Sequence, residues 1–140
     1  MNHVSKSEKE TQKIAESMGK ELKHGVICLY GDLGTGKTTF VRGLAKGLGI
    51  LSKIQSPTFT YLRVHTGKTK LYHFDFYRIT KPDMMLISEL NEAAQREDGI
   101  IAVEWPEKIA DFLPKNHIKI EFEYIDADTR KIVTYHCEPQ

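Results

Sequence analysis

One eight-residue segment constrains the fold of this chain more than any other. Residues 31–38, GDLGTGKT, match the pattern G-x-x-x-x-G-K-[ST] at every fixed position. A short apolar run, Val26–Tyr30, precedes the segment, and apolar residues at helical spacing follow it from Lys37 to about Lys46. A strand, a glycine-rich loop and a helix in this order form a binding site for phosphate. We therefore expect a buried strand that delivers the loop to the start of a helix.

The residue types of this loop each have a chemical reason. Glycines allow positive φ angles and bring successive backbone N–H groups close to phosphate oxygens. Lys37 supplies a cation for the β- and γ-phosphates, and Thr38 offers a hydroxyl to Mg²⁺. Thr39 either touches the α-phosphate or faces the interior of the helix. The predicted nucleotide-binding residues of the loop are Gly31, Asp32, Leu33, Gly34, Thr35, Gly36, Lys37, Thr38 and Thr39.

A loop of this kind needs an acidic partner for the metal ion, usually at the end of a buried strand. Glu104 ends the apolar run Ile100–Val103 and fits that position; its alternative role is to cap the helix that begins near Pro106. Asp75 lies in an aromatic-rich strand, where a charge without a task is unfavourable. Its alternative role is a structural pair with Arg78 or His73, its neighbours in the segment HFDFYR. We predict Lys37, Asp75 and Glu104 as catalytic residues, with Thr38 and Glu104 as the metal ligands.

The remaining pattern predicts an α/β fold. A capping box at residues 7–10 begins a helix whose apolar face holds Ile14, Met18 and Leu22. Further predicted elements are a hairpin with strands 59–64 and 70–77, a helix over residues 82–95 and a terminal hairpin built from residues 118–124 and 131–136. The core candidates of the helix over residues 82–95 are Met85, Leu86, Leu90 and Ala94. We expect a three-layer P-loop NTPase-like architecture, with a mixed sheet between helices on both faces, in a single domain over residues 1–140.

The amino-acid composition excludes several other classes of protein. With 20 basic and 19 acidic residues the net charge is +1, so the surface as a whole is not a polycation that would bind nucleic acid non-specifically. Two scattered cysteines do not form a disulfide framework, and no run approaches the roughly 18 apolar residues of a membrane span. The N-terminal residues are polar, and no signal peptide is visible. We expect a cytoplasmic protein with neither membrane nor DNA as a partner.

The loop occurs in several functional classes of nucleotide-binding protein, and three of them remain open for this chain. A GTPase would need an N-K-x-D motif, which residues 116–119, NHIK, do not match. A small-molecule kinase usually needs a lid with arginines, whereas the five arginines here are scattered at positions 42, 63, 78, 96 and 130. A small ATPase, a small P-loop kinase and a nucleotide-gated interaction module all stay open on these grounds.

Four short sequence motifs, taken in their order along the chain, favour one of these functional classes. Residues 31–39 read GDLGTGKTT, residues 56–61 SPTFTY, residues 73–78 HFDFYR and residues 103–108 VEWPEK. This series, which extends over residues 11–108, closely resembles the TsaE family, the small ATPases of bacterial tRNA threonylcarbamoyladenosine biosynthesis. The loop is shared with many families, but the four blocks together are highly specific.

The resemblance implies a concrete function. Members of the family bind ATP and Mg²⁺, hydrolyse ATP slowly when alone and release ADP. They act with the proteins TsaB and TsaD, which modify adenosine 37 of tRNAs that read ANN codons, and ATP hydrolysis is thought to reset that machinery. tRNA would be reached mainly through the complex. No arginine is recognisable in the sequence as an arginine finger, so we expect a poor ATPase that gains rate from its partners.

The resemblance also implies roles for single residues. Asp75 occupies the family's essential acidic position and would orient the attacking water, while Thr58 is similar to a switch residue near the γ-phosphate. Trp105 is similar to a nucleotide-responsive tryptophan, with a core anchor as its alternative role. Thr11 would approach the adenine, unless it is an ordinary helix residue, and Glu107 would contact the nucleotide. The basic hairpin over residues 63–73 would either contact tRNA or use its lysines to block unwanted strand pairing.

Overall fold

The computed structural model describes residues 1–54 and 61–137, and the seven strands found there form one sheet. The strands are β1 (Asn2–Ser5), β2 (Gly25–Tyr30), β3 (Leu62–Thr66), β4 (Lys70–Asp75), β5 (Gly99–Glu104), β6 (His117–Tyr124) and β7 (Arg130–Cys137). The helices are α1 (Glu8–Glu21), α2 (Lys37–Gly47), α3 (Met84–Arg96) and a 3₁₀ helix, Pro106–Phe112. The strand order is β1-β7-β6-β2-β5-β4-β3.

The middle of the sheet is parallel and its edges are antiparallel. β2 pairs in parallel with both β5 and β6, and β4 pairs in parallel with β5. β3, β7 and β1 extend the sheet by antiparallel pairing. β2 and β5 are continuous apolar runs, as is typical of strands whose two faces are both covered.

Alternate residues of β2 contribute to two separate cores. Ile27 and Leu29 belong to the core that contains side chains of α1 and α2. Val26 and Cys28 belong to the core that contains side chains of α3 and the 3₁₀ helix. The predicted three-layer α/β architecture with a mixed sheet and β-hairpins is confirmed. No helix in the described part of the chain is both long and apolar enough to cross a membrane.

Helix α1 begins at the predicted N-terminal cap, but the face that it buries is not the predicted one. The Ser7 hydroxyl accepts a hydrogen bond from the Glu10 amide at 3.1 Å, and the Glu10 carboxylate accepts from the Lys6 amide at 2.6 Å. The buried residues of the helix are the small ones, Thr11, Ala15 and Gly19. The predicted face of Ile14, Met18 and Leu22 is only partly buried, because close packing against α2 favours the side with the small residues.

The predicted helix over residues 82–95 is present, but the prediction that Met85 belongs to its core was wrong. Asp83 is the N-cap, and its carboxylate accepts from the amides of Met85 and Leu86, so the helix begins at Met84. The first turn therefore lies at the surface, and Met85 is 74% exposed. Ile87, Leu90 and Ala93 form the buried stripe, while Leu86 and Ala94 pack at its edge.

The edges of the sheet differ most from expectation. The predicted strand over residues 59–64 begins outside the described residues, and its described part is β3, which starts at Leu62. The short strand β1 was not predicted. It has the polar sequence NHVS and forms only because β7 provides a partner, with Asn2 opposite Val133 and Ser5 opposite Arg130.

Candidate functional site

The carboxyl ends of the parallel strands bring the predicted acidic residues together. Asp75 is the last residue of β4, Glu104 is the last residue of β5, and the two are direct partners in the register. Leu29 of β2 pairs with Glu104 on the other side, two residues before the glycine-rich loop. In parallel sheets, ligands bind in the crevice outside these ends. The fold thus places both carboxylates beside the start of the loop.

The loop adopts a compact conformation that depends on its glycines. Gly34 has φ +77° and Gly36, the N-cap of α2, has φ +99°. Residues 32–35 form a turn in which both the amide and the hydroxyl of Thr35 donate to the Asp32 carbonyl, at 3.3 and 2.7 Å. Gly31 must lack a side chain because a Cβ atom there would lie 2.8 Å from the Thr35 hydroxyl and 3.0 Å from Phe122.

Lys37 is buried at the base of the loop, although it carries an ammonium group. Its Nζ donates to the Gly31 carbonyl at 2.5 Å and lies 3.6 Å from the centre of the Trp105 ring. Burial lowers the pKa of Lys37 below the ordinary value, and four nearby carboxylates partly oppose this shift. These carboxylates belong to Glu104, Glu107, Asp75 and Asp32. The site therefore holds a poorly solvated cation, and poor solvation strengthens the interaction of a cation with any anion that comes close to it.

Glu104 is the most deeply buried acid of the site and is held from two sides. The Thr38 hydroxyl donates to its two carboxylate oxygens at 3.1 and 3.2 Å. On the other side, Nε2 of the fully buried His73 lies 2.6 Å from Oε2 of Glu104 and donates to it. Trp105, not Glu104, is the N-cap of the 3₁₀ helix, so the helix-capping alternative is not what the structure shows.

Asp75 and Trp105 face the same cleft from neighbouring strand ends. The Asp75 carboxylate accepts from the Tyr77 amide at 3.0 Å and is only half-buried. Trp105 has a left-handed backbone with φ +58°, and its ring lies 4.9 Å from that of Tyr77. A non-glycine residue in this conformation is uncommon and often marks a functional position. The structural pair suggested for Asp75 and His73 is not formed through His73 Nε2, which contacts Glu104.

A cleft of about 600 Å³ connects these groups and contains most of the predicted site. The predicted residues that line it are Thr11, Leu33, Gly34, Thr35, Gly36, Lys37, Thr38, Thr39, Asp75, Glu104 and Trp105. Of the other predicted residues, Gly31 and Asp32 belong to the loop and Glu107 to the first turn of the 3₁₀ helix, but none of the three lines the cleft. Thr58 lies outside the described residues.

Both chain ends contribute a wall of the cleft. On one side stand Ser7, Glu8 and Thr11 at the start of α1, where the Thr11 hydroxyl is hydrogen-bonded to that of Ser5 at 2.7 Å. On the other side stands the turn between β6 and β7, with Ala127, Asp128 and Arg130. A guanidinium nitrogen of Arg130 donates to the Gly34 carbonyl of the loop at 3.0 Å.

Sequence reasoning missed three residues of this arrangement. His73 lies two residues before Asp75 on β4, so the two side chains point to the same face of the sheet. This spacing was the only signal in the sequence that His73 lies near the acidic residues at the strand ends. Tyr77 belongs to the block HFDFYR, but the block alone does not show which of its aromatic residues faces the cleft. Arg130 lies 96 positions from Gly34, and no local pattern indicates their contact.

Comparisons with known proteins show which family the chain resembles and agree with the fold. Residues 5–132 match the family model described as threonylcarbamoyl adenosine biosynthesis protein TsaE. The chain is 38% identical over 133 residues to the tRNA threonylcarbamoyladenosine biosynthesis protein TsaE of Treponema pallidum, with 94% of this chain and 98% of that protein covered. It is 41% identical over 138 residues to the protein of the same name from Aquifex aeolicus, with 94% and 93% covered. The crystal structure of YdiB from Bacillus subtilis superposes with a TM-score of 0.82 at 31% identity and covers 99% of this chain and 86% of that chain.

The buried cation gives a stability prediction for Lys37→Met. Because burial lowers the pKa of Lys37, the folded chain binds this proton less tightly than the unfolded chain, whose lysine keeps the ordinary value of 10.5. Wild-type stability should then rise with pH towards that value, and part of this rise should vanish in Lys37→Met. The nucleotide-free variant should also be more stable than wild type at neutral pH.

Urea denaturation at neutral pH and at alkaline pH values below 10.5 measures both effects. Lys46→Met, an exposed lysine on the same helix, is the control and should leave the pH dependence unchanged. A loss of stability in Lys37→Met at neutral pH would contradict the prediction. It would mean that the contacts of Lys37 with Gly31 and Trp105 outweigh the cost of burial.

Proposed function

The chain belongs to the TsaE family, which acts in tRNA threonylcarbamoyladenosine biosynthesis, and we propose that within this process it is a Mg²⁺-dependent ATPase. The loop over residues 31–38 would bind ATP, and hydrolysis would yield ADP and phosphate. The proteins TsaB and TsaD would be its partners in the cytoplasm, and tRNA would be contacted through their complex. Hydrolysis would reset the complex between rounds of modification of adenosine 37 in tRNAs that read ANN codons.

The observation that carries the proposal is the contact between Thr38 and Glu104. A hydroxyl at the start of the helix and a carboxylate at the end of a neighbouring strand lie within 3.2 Å of each other. Both are oxygen donors of the kind Mg²⁺ prefers, and Mg²⁺ is commonly bound by one or two protein oxygens together with substrate phosphates and water. Thr38 and Glu104 would hold the ion, which when bound supplies positive charge to the phosphate oxygens.

The other residues of the cleft have distinct tasks in this scheme. Lys37 and the loop amides would bind and orient the β- and γ-phosphates, where the poorly solvated ammonium interacts strongly with anions. In hydrolysis a water oxygen forms a bond to the γ-phosphorus, and the bond from that phosphorus to the bridging oxygen breaks. The electron pair of the broken bond goes to the β-phosphate of ADP, and the proton that the water loses goes to the released phosphate or to solvent. Asp75, half-buried at the end of β4, would accept a hydrogen bond from the attacking water and orient it.

Two observations support a partner at the mouth of the cleft. Leu33 at the tip of the loop is 66% exposed, and Tyr77 beside Trp105 is 43% exposed. Both side chains line the cleft and expose apolar surface to water, which a protein bound over the cleft would bury. A protein that covers the entrance would also exclude water from the phosphates, which strengthens the electrostatic interactions inside the cleft.

ATP turnover measured with and without the TsaB–TsaD pair and tRNA tests the proposal. Alone, the chain should hydrolyse ATP far more slowly than about 10 s⁻¹, a typical enzyme turnover, and the partners should raise the rate. Lys37→Ala is the inactive reference. A partner-free rate near 10 s⁻¹ would contradict the dependence on partners. Phosphate transfer to a small acceptor, without phosphate release in its absence, would instead indicate a kinase.

A second prediction concerns Glu104→Ala. The variant should bind ATP with at least about tenfold lower affinity in the presence of Mg²⁺, since even outer-shell substitutions cost roughly 10–100-fold in metal affinity. ATP binding without Mg²⁺ should change much less. Because Ala leaves His73 unpaired in the core, Glu104→Gln, which keeps a hydrogen-bond acceptor, should show the same difference. Equal Mg²⁺ titrations of wild type and both variants by calorimetry would contradict the assignment; Glu123→Ala, an exposed acid on β6, is the control.

A third prediction concerns Asp75→Ala. The variant should bind ATP as wild type does but lose turnover by about 10²-fold or more, the usual contribution of a positioned proton acceptor. Calorimetry and phosphate release measure the two quantities on the same sample. Asp111→Ala, an exposed acid on the 3₁₀ helix, should alter neither. Loss of ATP binding in Asp75→Ala would favour a structural role for this carboxylate.

A further inference from the structure

The turn between β6 and β7 presents one arginine to the phosphate-binding loop. Arg130 Nη1 donates to the carbonyls of Asp126 and Thr129 within its own turn, the second at 3.0 Å, while Nη2 donates to the Gly34 carbonyl at 3.0 Å. The guanidinium carbon lies 4.7 Å from the centre of the Tyr124 ring. The planar guanidinium thus connects the hairpin to the loop in a fixed geometry.

The turn that carries Arg130 is itself well anchored. The Asp126 carboxylate accepts from the amides of Asp128 and Thr129 at 3.0 and 2.9 Å. At the other end, Arg130 pairs in the sheet with Ser5 of β1, whose hydroxyl contacts Thr11 in the opposite wall of the cleft. Backbone pairing therefore fixes the position of Arg130 before any ligand is present.

The contact with Gly34 acts on a glycine of the loop, whose backbone is conformationally permissive. Gly34 has φ +77°, and because a glycine adopts several backbone conformations readily, its own backbone preference does not fix its carbonyl. A free glycine peptide can turn its carbonyl towards the phosphate site, where the oxygen would repel the nucleotide. The bond to Arg130 holds this carbonyl towards the hairpin.

The same bond determines the direction of the next amide. A trans peptide is planar, so its N–H points opposite to its carbonyl. With the Gly34 carbonyl held by Arg130, the Thr35 amide points into the loop and donates to the Asp32 carbonyl at 3.3 Å. One peptide is therefore held at both ends, and the turn over residues 32–35 is closed.

We propose that Arg130 is a positioning residue that holds the phosphate-binding loop in its closed turn before ATP arrives. This inference rests on the proposed function, because it takes residues 31–38 as the loop that binds ATP. A loop held in one conformation loses less conformational entropy when the nucleotide binds, and its affinity is correspondingly higher. The terminal hairpin, which carries no recognisable motif, thereby has a role in nucleotide binding.

Three variants test the proposal on the full chain. Arg130→Gln removes both the charge and the planar guanidinium group with its several N–H donors. Arg130→Lys keeps the charge, but its ammonium group cannot bridge the turn and the loop in the same planar geometry. Arg63→Gln makes the same charge change on an exposed residue of β3, at the other edge of the sheet. ATP affinity is measured by calorimetry, and amide hydrogen exchange of Thr35 is measured by NMR without nucleotide.

We expect Arg130→Gln to weaken ATP binding about tenfold, the usual effect of losing a hydrogen bond to a charged group. Thr35 exchange should accelerate in the same variant, and Arg63→Gln should change neither quantity. Arg130→Lys should behave like Arg130→Gln, and it provides the same two readouts if the glutamine variant does not fold.

Several outcomes would overturn the inference. Wild-type ATP affinity in Arg130→Gln, or full recovery in Arg130→Lys, would show that the bridge to Gly34 is not needed. Weaker ATP binding with unchanged Thr35 exchange would show that Arg130 acts on the nucleotide directly. If the wild-type chain binds no ATP, the proposed function fails and this inference fails with it, whereas the other outcomes leave the proposed function intact.

Discussion

The carboxylate of Glu104 is the constraint on which the rest of the site depends. A buried carboxylate without partners costs several kcal/mol, so its surroundings must supply hydrogen-bond donors. Thr38 supplies one from the first turn of α2, and His73 supplies another from the middle of β4. These donors fix α2 and β4 relative to the end of β5. The loop between β2 and α2 is then confined to one position above the sheet.

The parallel centre of the sheet explains why so few residues assemble the site. Parallel strands end at the same edge, so Asp75 and Glu104 become neighbours through register alone. The same edge receives the loop from β2, whose last residues lie beside Glu104. Only the outer walls of the cleft must be built by other means, and they come from the start of α1 and the turn before β7.

The sequence predicts those features of the fold and the site that depend on residues close together in the chain. The loop, its strand and its helix depend on neighbouring residues, and they were predicted with the correct order and nearly the correct bounds. The position of Glu104 at the end of a buried strand was also predicted, because an apolar run that ends in an acid is itself a local pattern. Met85 was misplaced because it does not share a face with the buried residues: at 3.6 residues per turn it lies about 200° around the helix from Ile87. β1 and the contact of Arg130 depend on partners distant in sequence, so no window of residues indicates them; His73 had only the weak local signal that it lies two residues before Asp75 on the same strand.

The two outer walls of the cleft are coupled through the edge of the sheet. Ser5 pairs with Arg130 in the β1–β7 register, and its hydroxyl contacts Thr11 across the start of α1. Both Ser5 and Thr11 are buried, so this contact is not exchanged readily with water. A shift of the hairpin would therefore displace the start of α1 as well as the loop at Gly34. The start of α1, the loop at Gly34 and the turn before β7 are thus linked by contacts and would move together.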